Sequence, residues 1–284
     1  MVSGTTRILG IFGDPVRHSL SPAMQNAALE EAGIDAVYMP FHVRPVDLPT
    51  AVAALRALQV WGVNVTIPHK ETIVPHLDAL DEQARLIGAV NTIVNRDGCL
   101  TGYNTDGPGV IRSLQEDFDF IPNGRRILLL GAGGACRAAI AALAASGAAW
   151  VGVANRTESR ARQLVETFAP EFKGTSFACF SLLPTALEPV LPAVDLVVNT
   201  SSVGLHGESF PDFPWHVLPS VVPIYDMVYA STGTPLLQTA AARGHRIADG
   251  RGMLAAQGEE AFFLWTGRRP QPGLMRQVIM AKCC

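Results

Sequence analysis

Gly131-Ala132-Gly133-Gly134-Ala135-Cys136 follows the short apolar run Ile127-Leu128-Leu129-Leu130 and opens the alanine-rich segment Arg137 to Ser146. A glycine-rich turn between a buried strand and a helix start can hold a pyrophosphate. Glycines let the backbone come close, and the first N–H groups of a helix have no partner within it. Cys136, a small thiol, stands at the third fingerprint position in place of glycine. The competing reading is a tight strand-to-helix turn that binds nothing. The next strand distinguishes the nucleotides. NAD sites place Asp or Glu at its end, to accept from the ribose 2′-hydroxyl. Here Ala154 is followed by Asn155-Arg156-Thr157-Glu158-Ser159-Arg160. Arg156 and Arg160 are four apart, so a helix starting there would put both on one side. Two guanidiniums suit a 2′-phosphate. These residues point to NADP, against a solvated helix start with Glu158 paired locally.

Other polar clusters stand at the ends of apolar runs: His18-Ser19-Leu20-Ser21-Pro22, Asn64-Val65-Thr66-Ile67-Pro68-His69-Lys70, Ala89-Val90-Asn91-Thr92 and Asn104-Thr105-Asp106-Gly107. Singly, each has a structural explanation. Ser21 before Pro22 is a good helix cap, and Asn104 to Gly107 a good turn.

The elements that must position these residues alternate. Ile8 to Phe12 reads as a strand, Pro22 to Ala32 as a helix ended by Gly33, and Val37 to Val43 as the next strand. A helix is expected over Val46 to Leu58, a strand over Gly62 to Ile67, a helix over Ala79 to Ile87 and an extended segment over Ala89 to Asn95. Ile127 to Leu130, the alanine-rich helix closed by Gly147, and Trp150 to Ala154 form a βαβ unit of about 30 residues. Asp195 to Asn199 and Ile224 to Val228 are further strand candidates; Leu236 to Arg243 and Gly252 to Trp265 read as helices, and Gly267 to Pro272 as a turn. This alternation favours an open α/β sheet with helical cover.

Bulk properties agree with a globular enzyme. The 284 residues suffice for two domains, with 48% apolar and 17% charged residues. A net charge of −3 gives no electrostatic case for nucleic-acid or membrane partners. The uncharged stretch Ala138 to Ala154 is interrupted by Ser146-Gly147 and is not expected to span a membrane. The five cysteines form no CxxC pair and the histidines no HExxH motif, so no metal is expected. The odd count and the vicinal Cys283-Cys284 suggest a reducing cytoplasm rather than a disulfide framework. Arg7 and the short run Ile8 to Phe12 do not read as a signal peptide.

Together the clusters resemble the shikimate dehydrogenase family, nearly end to end. The matching stretches are Ser19-Leu20-Ser21-Pro22, Asn64 to Lys70, Gly88 to Thr92, Asn104 to Gly107, Gly131 to Ala135, Asn155-Arg156-Thr157, Asn199-Thr200-Ser201, Asp226 to Tyr229 and Asp249 to Gln257. The resemblance implies NADP-dependent, reversible reduction of 3-dehydroshikimate to shikimate, a step toward chorismate and the aromatic amino acids. It implies a catalytic pair at Lys70 and Asp106, and substrate contacts from Ser19 and Ser21 (carboxylate) and Asn64, Thr66, Asn91, Tyr229 and Gln257 (ring hydroxyls). It assigns the cofactor to Gly131, Ala132, Gly133, Gly134, Ala135, Asn155, Arg156, Thr157 and Arg160, with Thr200, Met227 and Gly250 near the nicotinamide. The residue types suit the chemistry. Hydride addition to a ketone leaves an alkoxide that needs a proton; Lys70 can supply it, and Asp106 would hold the ammonium charged and oriented.

The implied architecture is α/β with two domains. An open α/β substrate domain spans residues 1–106 plus 245–284, a Rossmann-like NADP domain spans 107–244, and a cleft lies between. A monomer or a homodimer would both suit the family. Two departures stand out: Ser231, where relatives commonly have Pro, and Arg251, a bulky charge between two glycines beside the expected nicotinamide pocket. Two alternatives stay open. One is a quinate/shikimate dehydrogenase with relaxed choice, which the groups around Ser19, Ser21 and Thr66 would decide; the other is a non-catalytic NADP-binding regulator.

Overall fold

The computed structural model describes residues 2–210, 212–230 and 232–282. The chain gathers into two compact units, one running to Gly109 and resuming at Leu254, the other covering Val110–Met253.

In the first unit β1 (Arg7–Gly13), α1 (Ser21–Glu31), β2 (Ala36–His42), α2 (Leu48–Ala57) and β3 (Gly62–Val65) alternate. They are followed by β4 (Ala79–Leu80), α3 (Glu82–Ile87), β5 (Thr92–Arg96), β6 (Cys99–Tyr103) and the start of α4 (Asp106–Phe118). The sheet order is β2-β1-β3-β5-β6-β4. β1 runs parallel to β2 and β3, while β5 is antiparallel to β3 and β6. Apolar clusters bury both faces, as a sheet with near-continuous apolar strands requires. One gathers Leu9, Met24, Tyr38, Phe262 and Trp265; the other Phe12, Val52, Leu55, Val63, Ile93 and Leu100. Register brings Phe12 opposite Val65, Asn64 opposite Thr92, and Thr92 opposite Tyr103. The C-terminal ends of β1, β3 and β6 thus meet the start of β5 at one end of the sheet.

Gly62 is needed for packing: a Cβ there would lie 2.2 Å from Trp265 Nε1. That indole instead donates to the Ile93 carbonyl at 2.9 Å. The segment expected as one helix over Ala79 to Ile87 is split into β4 and α3. Ala79 pairs with Thr101, and Asp81, extended, accepts from Ala84 N at 2.8 Å as the cap of α3. Ser21 is not a cap; it is the first residue of α1, after Leu20. The expected turn at Asn104 to Gly107 runs directly into α4.

The second unit contains β7 (Arg126–Leu130), α5 (Gly134–Ala145), β8 (Trp150–Asn155), α6 (Glu158–Phe168), β9 (Ser176–Ser181), α7 (Pro184–Leu187), β10 (Leu196–Asn199), β11 (Ile224–Asp226), α8 (Pro235–Ala242) and β12 (Ile247–Asp249). α9 (Arg251–Thr266) begins in this unit and ends in the first, where α10 (Leu274–Lys282) follows. All six strands are parallel in the order β12-β11-β10-β7-β8-β9. Counted along the chain this is the 3-2-1-4-5-6 order of the Rossmann fold, with its switch point between β7 and β10. Ile127 to Leu130 are fully buried, as a central parallel strand demands. The uncharged stretch Ala138 to Ala154 forms most of α5 and β8, separated by Gly147 at φ +83°. Among the described residues no helix is long and apolar enough to cross a membrane.

Candidate active site

In the first unit the end of the sheet gathers a connected polar cluster. Lys70 Nζ donates to Asp106 Oδ2 at 2.6 Å, with Asp106 buried at the start of α4. Asn91 Nδ2 donates to the other oxygen, Oδ1, at 2.9 Å, and also reaches Thr105 Oγ1 at 3.0 Å and Gln257 Oε1 at 3.4 Å. Asn91 Oδ1 accepts from Thr105 N at 2.8 Å and Thr92 Oγ1 at 3.0 Å, which fixes the amide orientation. Gln257 is held from α9, its Nε2 donating to the Leu254 carbonyl at 2.9 Å. Asn64, in the last half of β3, donates to the Asn91 carbonyl at 3.1 Å and to Thr92 Oγ1 at 3.0 Å. The Val90 N–H donates to the Lys70 carbonyl at 2.8 Å and anchors the lysine's backbone.

Of the residues expected at the substrate end, Lys70, Asp106, Asn64, Asn91 and Gln257 therefore form one network. Ser19 and Ser21 lie after β1, where Ser19 Oγ accepts from Ser21 N at 3.2 Å. Thr66 follows β3, its N–H donating to the Phe12 carbonyl at 2.9 Å. Tyr229 belongs to the other unit, in the segment after β11. Sequence reasoning gave no role to Tyr38, nor to Thr92 and Thr105 within their clusters. Tyr38 is buried in β2 and donates from its hydroxyl to Asn64 Oδ1 at 2.7 Å. Burial pushes its phenol well above the ordinary range, against a hydrogen bond with Ser21. A tyrosine in the strand expected over Val37 to Val43 was its only sequence signal.

In the second unit the expected cofactor residues stand at the C-terminal ends of β7, β8, β10, β11 and β12, those after β7 and β10 at the switch point. Gly131 has φ +114°, and a Cβ there would lie 2.8 Å from Ser201 Cβ, so β7 and the segment after β10 can approach only with glycine. Gly133 precedes the first residue of α5, and a Cβ there would meet nothing within 4 Å. Ala132, Gly134 and Ala135 are half-buried alongside it. The turn therefore has both the tight glycine and the open approach to helix N–H groups that a pyrophosphate needs. Cys136 packs inward, and burial pushes its thiol up to about 12, so it is an inert part of the core. Thr200, buried, donates from Oγ1 to the Leu130 carbonyl at 3.1 Å.

At the end of β8, Asn155 Nδ2 donates to the Thr157 carbonyl at 2.8 Å. α6 begins at Glu158 with Thr157 as its cap, so Arg156 lies outside the helix. The argument that one helical face presents both arginines is corrected to that extent. Both are exposed, and Glu158 pairs with Arg162 at 2.7 Å rather than with either of them.

Arg251 has a physical account. Its guanidinium closes on Asp249 at 2.6 Å, with Nε on both carboxylate oxygens at 2.7 and 2.9 Å. Asp249 is only 11% exposed. Arg251→Ala should therefore lower the unfolding midpoint by several degrees, from a loss of about 1–3 kcal/mol. An unchanged midpoint in calorimetry would mean that the pair contributes nothing net. Ser231 and Cys283-Cys284 lie outside the described residues.

The six-stranded parallel sheet with a glycine-rich turn at its switch point places the second unit among Rossmann-type α/β domains. Family models match along the chain: the shikimate dehydrogenase substrate binding domain over residues 11–93, shikimate / quinate 5-dehydrogenase over 114–202, and the shikimate 5′-dehydrogenase C-terminal domain over 250–280. Shikimate dehydrogenase (NADP(+)) of Geobacter metallireducens is 54% identical over 280 residues, covering 99% of this chain and 98% of that one. The crystal structure of shikimate 5-dehydrogenase from Thermus thermophilus with NADP(H) and shikimate is 37% identical, with a TM-score of 0.84 over 98% of this chain and 100% of that one. Quinate dehydrogenase from Corynebacterium glutamicum in complex with NAD is 31% identical, with a TM-score of 0.87 over 97% and 99%. The chain belongs to the shikimate dehydrogenase family.

Proposed function

We propose that this protein is an NADP-dependent shikimate dehydrogenase, interconverting 3-dehydroshikimate and shikimate. The observation that carries the proposal is the Lys70–Asp106 contact of 2.6 Å inside the Asn91–Gln257 network. On this reading the β1–β6 unit takes the substrate and the β7–β12 unit takes the dinucleotide. Bound NADPH supplies the hydride. The oxygen at C3 must then gain a proton, and the ammonium of Lys70 carries one; in the reverse direction the amine takes it back. Asp106, fixed by Asn91, holds Nζ in one orientation. Ser19 and Ser21 offer hydroxyl protons to the substrate carboxylate, while Asn64, Thr66, Asn91, Tyr229 and Gln257 read the ring hydroxyls. The turn from Gly131 to Ala135 receives the pyrophosphate. Asn155, Arg156, Thr157 and Arg160 receive the adenosine 2′-phosphate, and Thr200, Met227 and Gly250 stand at the nicotinamide end. The enzyme would serve the route to chorismate and the aromatic amino acids, in the cytoplasm, as a monomer or homodimer.

The test is initial-rate cofactor reduction with shikimate or quinate, each offered NADP+ or NAD+. A strong rate only with shikimate and NADP+ is expected. A comparable quinate or NAD+ rate would move the protein to a sister activity. No rate in any combination would reject the dehydrogenase assignment.

A further inference from the structure

The residues placed at the nicotinamide end share a structural origin. Asn199, Asp226 and Asp249 are register partners across β10, β11 and β12 and end those three strands. Thr200, Met227 and Gly250 are the next residue in each case. Met227 is held from both sides. Its N–H donates to the Asn199 carbonyl at 3.0 Å, and a Cβ on Gly250 would lie 2.1 Å from its carbonyl oxygen.

At the middle of this row sits a carboxylate that the proton transfer does not use. Asp226 is fully buried. Its Oδ1 accepts from Asn199 Nδ2 at 2.8 Å and Val228 N at 3.0 Å, and its Oδ2 accepts from Thr234 Oγ1 at 2.6 Å. Thr234 in turn caps α8, accepting from Leu237 N at 3.4 Å. Asn199 extends the network, its Oδ1 accepting from Ser201 N at 3.0 Å and its Nδ2 also donating to the Val203 carbonyl at 2.9 Å. One side chain therefore ties together the end of β10, the segment after β11 and the start of α8. Burial pushes the Asp226 carboxyl up to about 6, so desolvation outweighs its three hydrogen bonds. A leucine or alanine would avoid that cost. A buried acid retained at such a cost needs a reason beyond filling space.

We infer that Asp226 is a positioning residue for the nicotinamide half of the cofactor: its hydrogen bonds from Asn199, Val228 and Thr234 hold the neighbouring Thr200 and Met227 in the one arrangement that receives the ring. This rests on the NADP-dependent reading above, but the binding half of its test does not need turnover.

Calorimetric titration of the purified protein would compare NADP+ with 2′,5′-ADP, which carries the adenosine 2′-phosphate and no nicotinamide. Asp226→Ala is expected to weaken NADP+ at least tenfold, leave 2′,5′-ADP within twofold and lower kcat at least tenfold. Asp226→Asn, which keeps the acceptor for Asn199 and Val228, should recover most of both losses. Thr234→Val should share the NADP+ defect in part, and Thr234→Ser, keeping the hydroxyl, should match the parent protein. If Asp226→Ala does not fold, the Thr234 pair decides, and equal NADP+ affinity in Val and Ser variants overturns the inference. Equal weakening of both ligands by Asp226→Ala would also overturn it, because the residue would then stabilise the unit as a whole. If the parent protein binds NADP+ but turns over no shikimate, the assigned function fails while the NADP+/2′,5′-ADP comparison still tests Asp226.

Discussion

Replacing Lys70 by alanine is expected to lower kcat for shikimate oxidation by about 10²–10⁴-fold, the range associated with a positioned general acid or base. NADP+ affinity should be unchanged, since none of the residues proposed for the dinucleotide is altered. A second effect must be separated from the first. Asp106 is 4% exposed, and without Lys70 its carboxylate keeps the Asn91 amide alone of the two partners described above. A buried charge that loses a charged partner destabilises the fold, by roughly 1–3 kcal/mol. Melting curves and rates should therefore be measured together, at a temperature where the variant is fully folded. Asp106→Asn should leave the Lys70 amine in the site but weaken its orientation, giving a smaller loss of about 10–10²-fold. The role given to Lys70 would be wrong if Lys70→Ala turned over nearly normally while Asp106→Ala did not.

The pattern of what was legible beforehand has a physical basis. The Rossmann unit was readable where apolar runs are bounded by glycines: Ile127 to Leu130, the turn from Gly131, and the close at Gly147 all stand where expected. β6, β9 and β12 were missed because Cys99–Tyr103, Ser176–Ser181 and Ile247–Asp249 are short, mixed in polarity and held largely by their neighbours. α10 was missed because Leu274–Lys282 is only nine residues long, too short for its apolar spacing to separate helix from strand, although Met275 and Ile279, one turn apart, are both buried. The Ala79 to Ile87 segment looked like one helix because propensity does not register the pairing of Ala79 with Thr101. In the site, Lys70, Asp106 and Asn91 stood in recognisable motifs, but their mutual contacts depend on strands distant in sequence. Tyr38 stood in an expected strand and Asp226 opened a matching stretch, but neither was given a role. Their importance comes from partners, Asn64 for one and Asn199 and Thr234 for the other, that only the fold brings near.

The second large effect concerns Arg156 and Arg160. A cation in the first turn of α6 opposes the helix dipole, so Arg160 does not serve the helix. Arg162, one turn after Glu158, already supplies the favourable pair. The role proposed for both arginines is to meet a ligand of opposite charge, the 2′-phosphate. A charge-assisted hydrogen bond contributes about 1.5–3 kcal/mol, so losing one from each arginine removes about 3 kcal/mol at the low end, or about 100-fold in affinity. The double variant Arg156→Ala with Arg160→Ala is therefore expected to raise KM for NADP+ about 100-fold, with NAD+ unchanged within twofold. Thermal stability should hardly move, because both side chains are exposed. The gap between the two cofactors should narrow in the parent protein as salt rises, since exposed charges are screened within about 10 Å at 0.1 M. Steady-state kinetics with both nucleotides at low and high ionic strength would check this. If the two KM values rose together, the arginines would be supporting the turn after β8 rather than a 2′-phosphate. If neither rose, the nucleotide preference would have to come from the absence of a carboxylate at the end of β8, where Asn155 stands.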